Sequence, residues 1–324
     1  MRIGITTTIP IEVIFAADHL PVDLNNVFIN SKDPGELVNQ AELDGYPRNI
    51  CGWTKGLYAT ALQENIKVMV FVTQGDCSNT QALMETLELR GVEVIPFAFP
   101  YDRDAALLEH QIEHLMEKLG ASWPEVKRTT EHLDGIRRKV HQIDRLTWQD
   151  GLVSGRENHY FQVSCSDFNG DPAAFEAEVD GLLAQLPARR PHHKEVRLAY
   201  IGVPPIVTDL YDYLESIGAR VVFNEVQRQF SMPFDTPDLV ERYRLYTYPY
   251  TVFKRIADIQ AETTRRGIDG VVHYVQSFCF RQIEDMIFRE KLGMPTITLE
   301  GDRPGKLDAR TKLRLEAFVE MLRR

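Results

Sequence analysis

Four cysteines are spread over 324 residues, and three of them stand where a thiol is chemically useful. Val68–Cys77 reads as a strand ending in a cysteine, and so does Gly270–Cys279. Cys51 follows the turn-like segment Asp44–Ile50 and precedes a predicted helix. Each of the three therefore sits ahead of a helix, where the N-terminal partial charge lowers a thiol pKa and favours the metal-ligating thiolate. If two lobes face each other, these thiols converge in one cleft. Three thiolates suit an iron–sulfur cluster or a zinc ion. A cubane held by only three would leave one iron open, as a Lewis acid and a redox centre. The plainer alternative is that strand-end cysteines are ordinary core residues. Cys165, within Val163–Asp167, reads as a semi-buried thiol or as a fourth ligand. No C-x-x-C pair occurs, which removes the usual signal of thioredoxin chemistry and of zinc ribbons.

The elements that must position these thiols alternate between strand and helix, the pattern of α/β layers on parallel sheets. Strands are predicted over 2–7, 67–73, 92–97, 195–202, 220–224, 269–275 and 295–299. Helices are predicted over 10–17, 52–64, 79–90, 102–120, 123–147, 172–186, 207–217, 251–266, 281–291 and 308–322. The proline-bounded polar stretch Pro187–Lys194 is the best link between lobes. The chain is accordingly divided into an N-terminal lobe at 1–150, a helical connection at 151–194 and a C-terminal lobe at 195–324. A weak internal repeat supports two copies of one βαβ plan: Cys77 precedes Gly91 by fourteen residues, and Cys279 precedes Gly293 by the same fourteen. Ligands of such sheets bind beyond the carboxyl ends of the strands, which is where Cys77 and Cys279 fall.

Composition narrows the class. The formal charge is −10, with 44% hydrophobic and 26% charged residues. That is ordinary for a globular protein and unlike a nucleic-acid binder, which usually carries a basic domain. No apolar run approaches the ~20 residues of a membrane span, and Met1–Pro10 lacks the pattern of a signal peptide. These features place the protein in the cytoplasm, with neither nucleic acid nor membrane as partner. No G-x-x-x-x-G-K-[ST] loop occurs, so ATP hydrolysis would belong to a partner. No G-x-G-x-x-G fingerprint occurs, so neither NAD nor FAD is expected. His192-His193 reads as linker polarity rather than a metal site. Tyr243, Tyr246, Tyr248, Tyr250 and Phe253 read as an interface, a substrate wall or a packing cluster.

With these residues in view, the sequence resembles the D-component family of 2-hydroxyacyl-CoA dehydratases and benzoyl-CoA reductases. The resemblance begins at Pro10–Pro21, similar to the family's P-x-E…A-A-G…P opening, although Asp18 stands where the family commonly has glycine. It continues at Ile50–Gly56, Gly75–Ser78, Arg197–Pro204, Gly218–Glu225, Gly270–His273, Cys279, Leu292–Pro295, Leu299–Asp302 and Arg314–Phe318. It implies two flavodoxin-like, doubly wound lobes with a helical connection. It implies a [4Fe–4S] cluster in the interlobe cleft, held by Cys51, Cys77 and Cys279 with one iron open, and it leaves Cys165 out.

The resemblance further implies an oxygen-sensitive, anaerobic lyase or reductase. A separate ATP-hydrolysing iron–sulfur activator injects a low-potential electron, and an acyl-CoA is dehydrated or reduced through a ketyl radical. The subunit pairs with a copy of itself or with a paralogue. Three alternatives stay open: a non-catalytic electron-transfer or cluster-carrier protein, a double-cubane-type reductase of small substrates, and a metal-free two-lobe binding protein whose function is cleft closure. Glu12, early in a helix, is the leading acid/base candidate, or else a helix-terminal carboxylate. His273 is a proton donor or a packed strand histidine. Trp53 would shield the cluster or fill the core, and Lys55 would meet a CoA phosphate, an activator carboxylate or only solvent. Ser78, Gln276 and Ser277 flank ligand cysteines and would donate to cluster sulfurs, Ser78 also serving as a helix cap.

Overall fold

The computed structural model describes residues 1–192 and 195–324. His193 and Lys194, which belong to the expected link and the dihistidine, lie outside the described residues. The first sheet is built from β1 (Arg2–Ile5), β2 (Leu20–Asp23), β3 (Val68–Gln74) and β4 (Glu93–Ala98). The second is built from β5 (Val196–Gly202), β6 (Ala219–Asn224), β7 (Gly270–Gln276) and β8 (Thr296–Gly301). All pairings are parallel, and the orders are β2-β1-β3-β4 and β6-β5-β7-β8. Each is the four-strand start of the flavodoxin order, so the chain is an α/β protein with two doubly wound sheets. β3 and β7 hold the same place in their sheets. Gly91 and Gly293, the glycines of the repeat, both take positive φ, at 83° and 65°.

Both sheets bury apolar strands on two faces, as parallel sheets require. Ile3, Ile5, Val70 and Phe71 are fully buried in the first. In the second, Ala199, Ile201, Phe223 and Val271 pack with Ile259 and Phe288. β2 escaped the sequence reading because it is four residues long and contains Pro21. Proline is tolerated there because β2 is an edge strand, and Pro96 sits on the other edge, β4. Among the described residues, no helix is long and apolar enough to cross a membrane.

The compact units are not contiguous in sequence. One comprises Met1–Arg138, Ser164–Ala177 and Met232–Thr251, and the other Lys139–Val163, Glu178–Ser231 and Val252–Arg324. Specific polar bonds recruit the two distant segments to the first sheet. The buried Tyr243 hydroxyl donates to the Ile9 carbonyl at 2.7 Å and to Glu12 Oε2 at 3.0 Å. Tyr243, Tyr246 and Tyr250 surround Phe99, so they form a packing cluster, whereas Phe253 is exposed.

Ser164–Ala177 is latched at the carboxyl end of β2. The Asp23 amide donates to Asp167 Oδ2 at 2.7 Å, and the Ser166 hydroxyl donates to Asp23 Oδ2 at 2.5 Å. Burial, then the neighbouring Asp23 carboxylate, pushes Asp167 from 3.8 to about 7. Burial raises Asp23 as well. A carboxyl raised by folding keeps its proton in the native state after the unfolded chain has lost it. Its contribution is complete below the unfolded pKa and is lost as pH rises through the folded one. The contribution of this carboxyl pair to stability should therefore fall by about 2–4 kcal/mol between pH 4 and pH 8, at ~1.4 kcal/mol per pKa unit, against an opposite slope from the buried His159, whose pKa burial lowers to about 4. Asp23→Asn should make this slope shallower without abolishing it, since burial still opposes charge on Asp167. Urea melts of wild type and variant across that range check this; a stability difference between the two that does not change with pH contradicts it.

Candidate functional site

In the first unit, helix Gly52–Gln63 begins immediately after Cys51 and helix Ser78–Leu89 immediately after Cys77, so both thiols occupy N-cap positions. Neither sulfur accepts a cap hydrogen bond, but the amides of Trp53 and Thr54 favour charge on Cys51, and those of Asn79 and Thr80 favour charge on Cys77. The Thr80 hydroxyl lies 3.8 Å from Cys77 Sγ. The two thiols are close enough that charge on Cys77 opposes charge on Cys51. The fold of this unit has therefore brought two cysteines, 26 residues apart in sequence, into electrostatic contact.

Two glycines make this possible. A Cβ on Gly56 would fall 2.4 Å from the ring of Phe28, so only glycine lets the Cys51 helix lie against that ring. Gly75 takes φ +107°, and a Cβ there would stand 2.7 Å from Pro249 and 3.2 Å from Phe99. The loop to Cys77 thus turns against the aromatic cluster in a conformation glycine alone adopts freely. Asp18, at the family's glycine position, also has positive φ, at 55°. Aspartate is among the few residues that tolerate this region, which explains how the departure is accommodated.

One sequence expectation is corrected. The helix N-termini do not depress the two thiols. Burial raises Cys51, and burial followed by the Asp76 carboxylate raises Cys77, in both cases outweighing the amides. Desolvation penalises a thiolate more than a few amides reward it. Cys165 is fully buried, and burial pushes it up to about 12 despite Arg137 nearby. That is the setting of an inert core thiol.

In the second unit, Cys279 closes a turn at the carboxyl end of β7. Its amide donates to the Gln276 carbonyl at 3.0 Å, and Phe278 within the turn has φ +64°. A 3-10 turn, Phe280–Ile283, separates Cys279 from helix Glu284–Leu292, where the sequence suggested one continuous helix. All four cysteines are free thiols. Among the described residues, no group of three or more His, Cys, Asp and Glu side chains is assembled to hold a metal.

The remaining candidates are mostly engaged elsewhere. Glu12 is fully buried, with Oε1 2.7 Å from Arg137 Nη1. His273 is buried in β7, where Nδ1 meets Asp285 Oδ1 at 2.6 Å and the ring packs edge-on against Phe288. Burial lowers its pKa in spite of Asp285. Lys55 is 1% exposed and donates to Glu42 at 2.8 Å and to the Arg48 carbonyl at 3.1 Å, so it pins the preceding loop instead of meeting a phosphate. Trp53 is half-buried, edge-on to Phe28 at 5.4 Å. Ser78 is exposed at the helix start. Gln276 donates to the Asp302 carbonyl at 2.9 Å and Ser277 to Glu300 at 3.1 Å, so both brace the Cys279 turn.

Sequence reading missed the charged residues that hold this frame. Arg137 and Arg242 both serve Asp134, and Arg255 serves Glu225 and Glu284. A signal existed for the last: Arg255 falls on the same helical face as Val252, Ile256 and Ile259, where a charge must find a buried partner.

Free cysteines at helix N-caps, Cys51 buried and Cys77 half-buried, are the donor chemistry an iron–sulfur cluster uses. Comparison with known families agrees in kind. No curated protein sequence matches the chain. The family model for the 2-hydroxyglutaryl-CoA dehydratase D-component matches residues 6–322. With all but the extreme termini covered, the chain belongs to the 2-hydroxyglutaryl-CoA dehydratase D-component family.

Proposed function

We propose that the chain is an oxygen-sensitive [4Fe–4S] enzyme of the 2-hydroxyacyl-CoA dehydratase type, with Cys51, Cys77 and Cys279 as ligands. The observation that carries this reading is the Cys51–Cys77 pair at adjoining helix N-caps in a chain of this family. The cluster, when bound, supplies a low-potential electron and an open iron for reductive dehydration or reduction of an acyl-CoA. The electron comes from an ATP-hydrolysing activator. The chain's own part is to hold the sulfurs and exclude water. The amides of Trp53, Thr54, Asn79 and Thr80 stabilise negative charge on Cys51 and Cys77, which sets the potential. Metal binding would displace the protons that burial otherwise keeps on these thiols.

A second reading has its own observation. Both sequence candidates for proton transfer are buried and engaged, Glu12 in an ion pair with Arg137 and His273 in a hydrogen bond with Asp285. With these two candidates held by other partners, an electron-transfer or cluster-carrier protein is the alternative reading. One series of measurements separates the readings on protein purified without oxygen. About four irons with matching sulfide are expected per chain, followed by electron uptake from an ATP-dependent activator and turnover of a 2-hydroxyacyl-CoA. Iron and electron uptake without turnover of any acyl-CoA select the carrier. Protein that stays iron-free after reconstitution overturns both.

A further inference from the structure

The Cys279 turn follows directly from the core strand β7 and is closed by the Cys279 amide on the Gln276 carbonyl at 3.0 Å, the Gln282 amide on the Cys279 carbonyl at 3.1 Å and the Gln282 side chain on the Gln276 carbonyl at 2.7 Å. What holds its far side is a chain of buried charges. Arg255, fully buried on helix Val252–Arg266, donates from Nε to Glu225 Oε1 at 2.6 Å and from Nη2 to Glu225 Oε2 at 2.9 Å. Its remaining nitrogen, Nη1, bonds Glu284 Oε2. The other oxygen of Glu284 accepts from Arg281, two residues beyond Cys279, at 3.2 Å. Glu225 in turn accepts the amide of Gly202 at 2.9 Å. One guanidinium thereby ties the carboxyl end of β5 and the residue following β6 to the 3-10 turn that Cys279 caps. Two cations and two carboxylates close the set, so no net charge is buried. The planar fork of arginine fills three directions at once, which a lysine ammonium cannot reproduce in the same geometry.

We infer that Arg255 is a positioning residue for Cys279, acting through Glu284 and Arg281 to fix the turn that presents the thiol. The inference rests on the iron–sulfur reading only for what Cys279 finally binds; the placement of the thiol is a property of the iron-free chain.

The test uses the full chain freed of iron by chelation. Alkylation of each cysteine by iodoacetamide is followed by mass spectrometry, beside thermal melts. Arg266→Met is the control. Arg266 is equally buried near the end of the same helix, but its partners are Asp144, Glu262 and the Val222 carbonyl. Arg255→Met should speed Cys279 alkylation by about tenfold, the local opening expected when one charge-assisted hydrogen bond is lost. Cys77 should stay within about twofold of wild type, since no bond near it changes. Arg266→Met should lower the melting temperature comparably and leave the Cys279 rate within about twofold. Arg255→Lys should recover part of the protection. A Cys279 rate unmoved by Arg255→Met, or raised equally by Arg266→Met, overturns the inference. Should Arg255→Met not fold, Glu284→Gln takes its place, with about a threefold increase expected and no increase overturning the inference. After reconstitution, the Arg255 variants should alter the electron paramagnetic resonance signal of the cluster and the Arg266 variant should not. Wild-type chain that takes up no iron would end the iron–sulfur reading, while the labelling rates still decide the role of Arg255.

Discussion

Alanine at Cys51, Cys77 or Cys279 is expected to reduce bound iron to below about a tenth of the wild-type content, whereas Cys165→Ala keeps it whole. The difference follows from where the sulfurs lie. Cys51 and Cys77 each stand at the N-cap of a helix, where the first amides of the helix favour charge on the sulfur. Cys279 caps a turn at the end of β7. Cys165 lies in the core beside Arg137, with its thiol raised to about 12. Removing one sulfur from a three-thiolate site leaves too few ligands for a cubane, so the loss should be nearly complete instead of graded. Iron and acid-labile sulfide are measured on protein made without oxygen. Melts of the iron-free variants separate ligand loss from unfolding. Cys165→Ala should cost the most stability of the four, because a fully buried sulfur leaves a cavity. Iron retained in any of the first three variants, or lost in Cys165→Ala, contradicts the ligand set.

The lobes were legible in the sequence for a physical reason. Val68–Val72 of β3 is buried on both faces and reads as an unbroken apolar run, and Gly270–Gln276 is buried throughout and mostly apolar, with His273 and Gln276 as its polar members. The repeat of cysteine and glycine at equal spacing in the two halves corresponds to β3 and β7 holding equivalent places in their sheets. What escaped was set by tertiary contacts. β2 is short and carries Pro21, and only its edge position permits it. Ser164–Ala177 and Met232–Thr251 join the first unit through contacts that have no periodic signal, such as the bonds of Asp23 to Asp167 and Tyr243 to Ile9 and the packing of Tyr243, Tyr246 and Tyr250 on Phe99.

The candidate site divides in the same way. The cysteines were legible because strand ends followed by helices have recognisable patterns. Their pKa direction was not, because it depends on burial, which sequence does not display; the helix-terminus argument alone gave the wrong sign. Charged neighbours of the motifs were the least legible. Lys55, Glu12 and His273 are chemically capable side chains, and each is occupied by a partner distant in sequence: Glu42, Arg137 and Asp285.

Glu12→Ala is expected to destabilise the protein by about 3–5 kcal/mol, the cost of leaving a buried guanidinium without its counter-charge. Glu12 and Arg137 are both fully buried, and Arg242 approaches the same carboxylate at 3.9 Å while bonding Asp134 through both of its terminal nitrogens at 2.7 Å. Burial works against the charge on Arg137; Glu12, then Tyr243 and Asp134, more than reverse this and hold it above its ordinary pKa. Such a carboxylate anchors the first helix to the segment that carries Tyr243, whose hydroxyl donates to Glu12 Oε2 at 3.0 Å. Urea melts of Glu12→Gln, Arg137→Met and the double variant separate anchor from catalyst. For an anchor, the double variant should be more stable than the sum of the single losses by about 1–3 kcal/mol, because removing both charges leaves neither stranded. For an acid/base group, Glu12→Gln would keep wild-type stability and iron while turnover of an acyl-CoA falls by about 100-fold or more. Additive losses joined to that collapse in turnover would return Glu12 to the reaction; strong coupling with iron retained in the double variant assigns it to the frame.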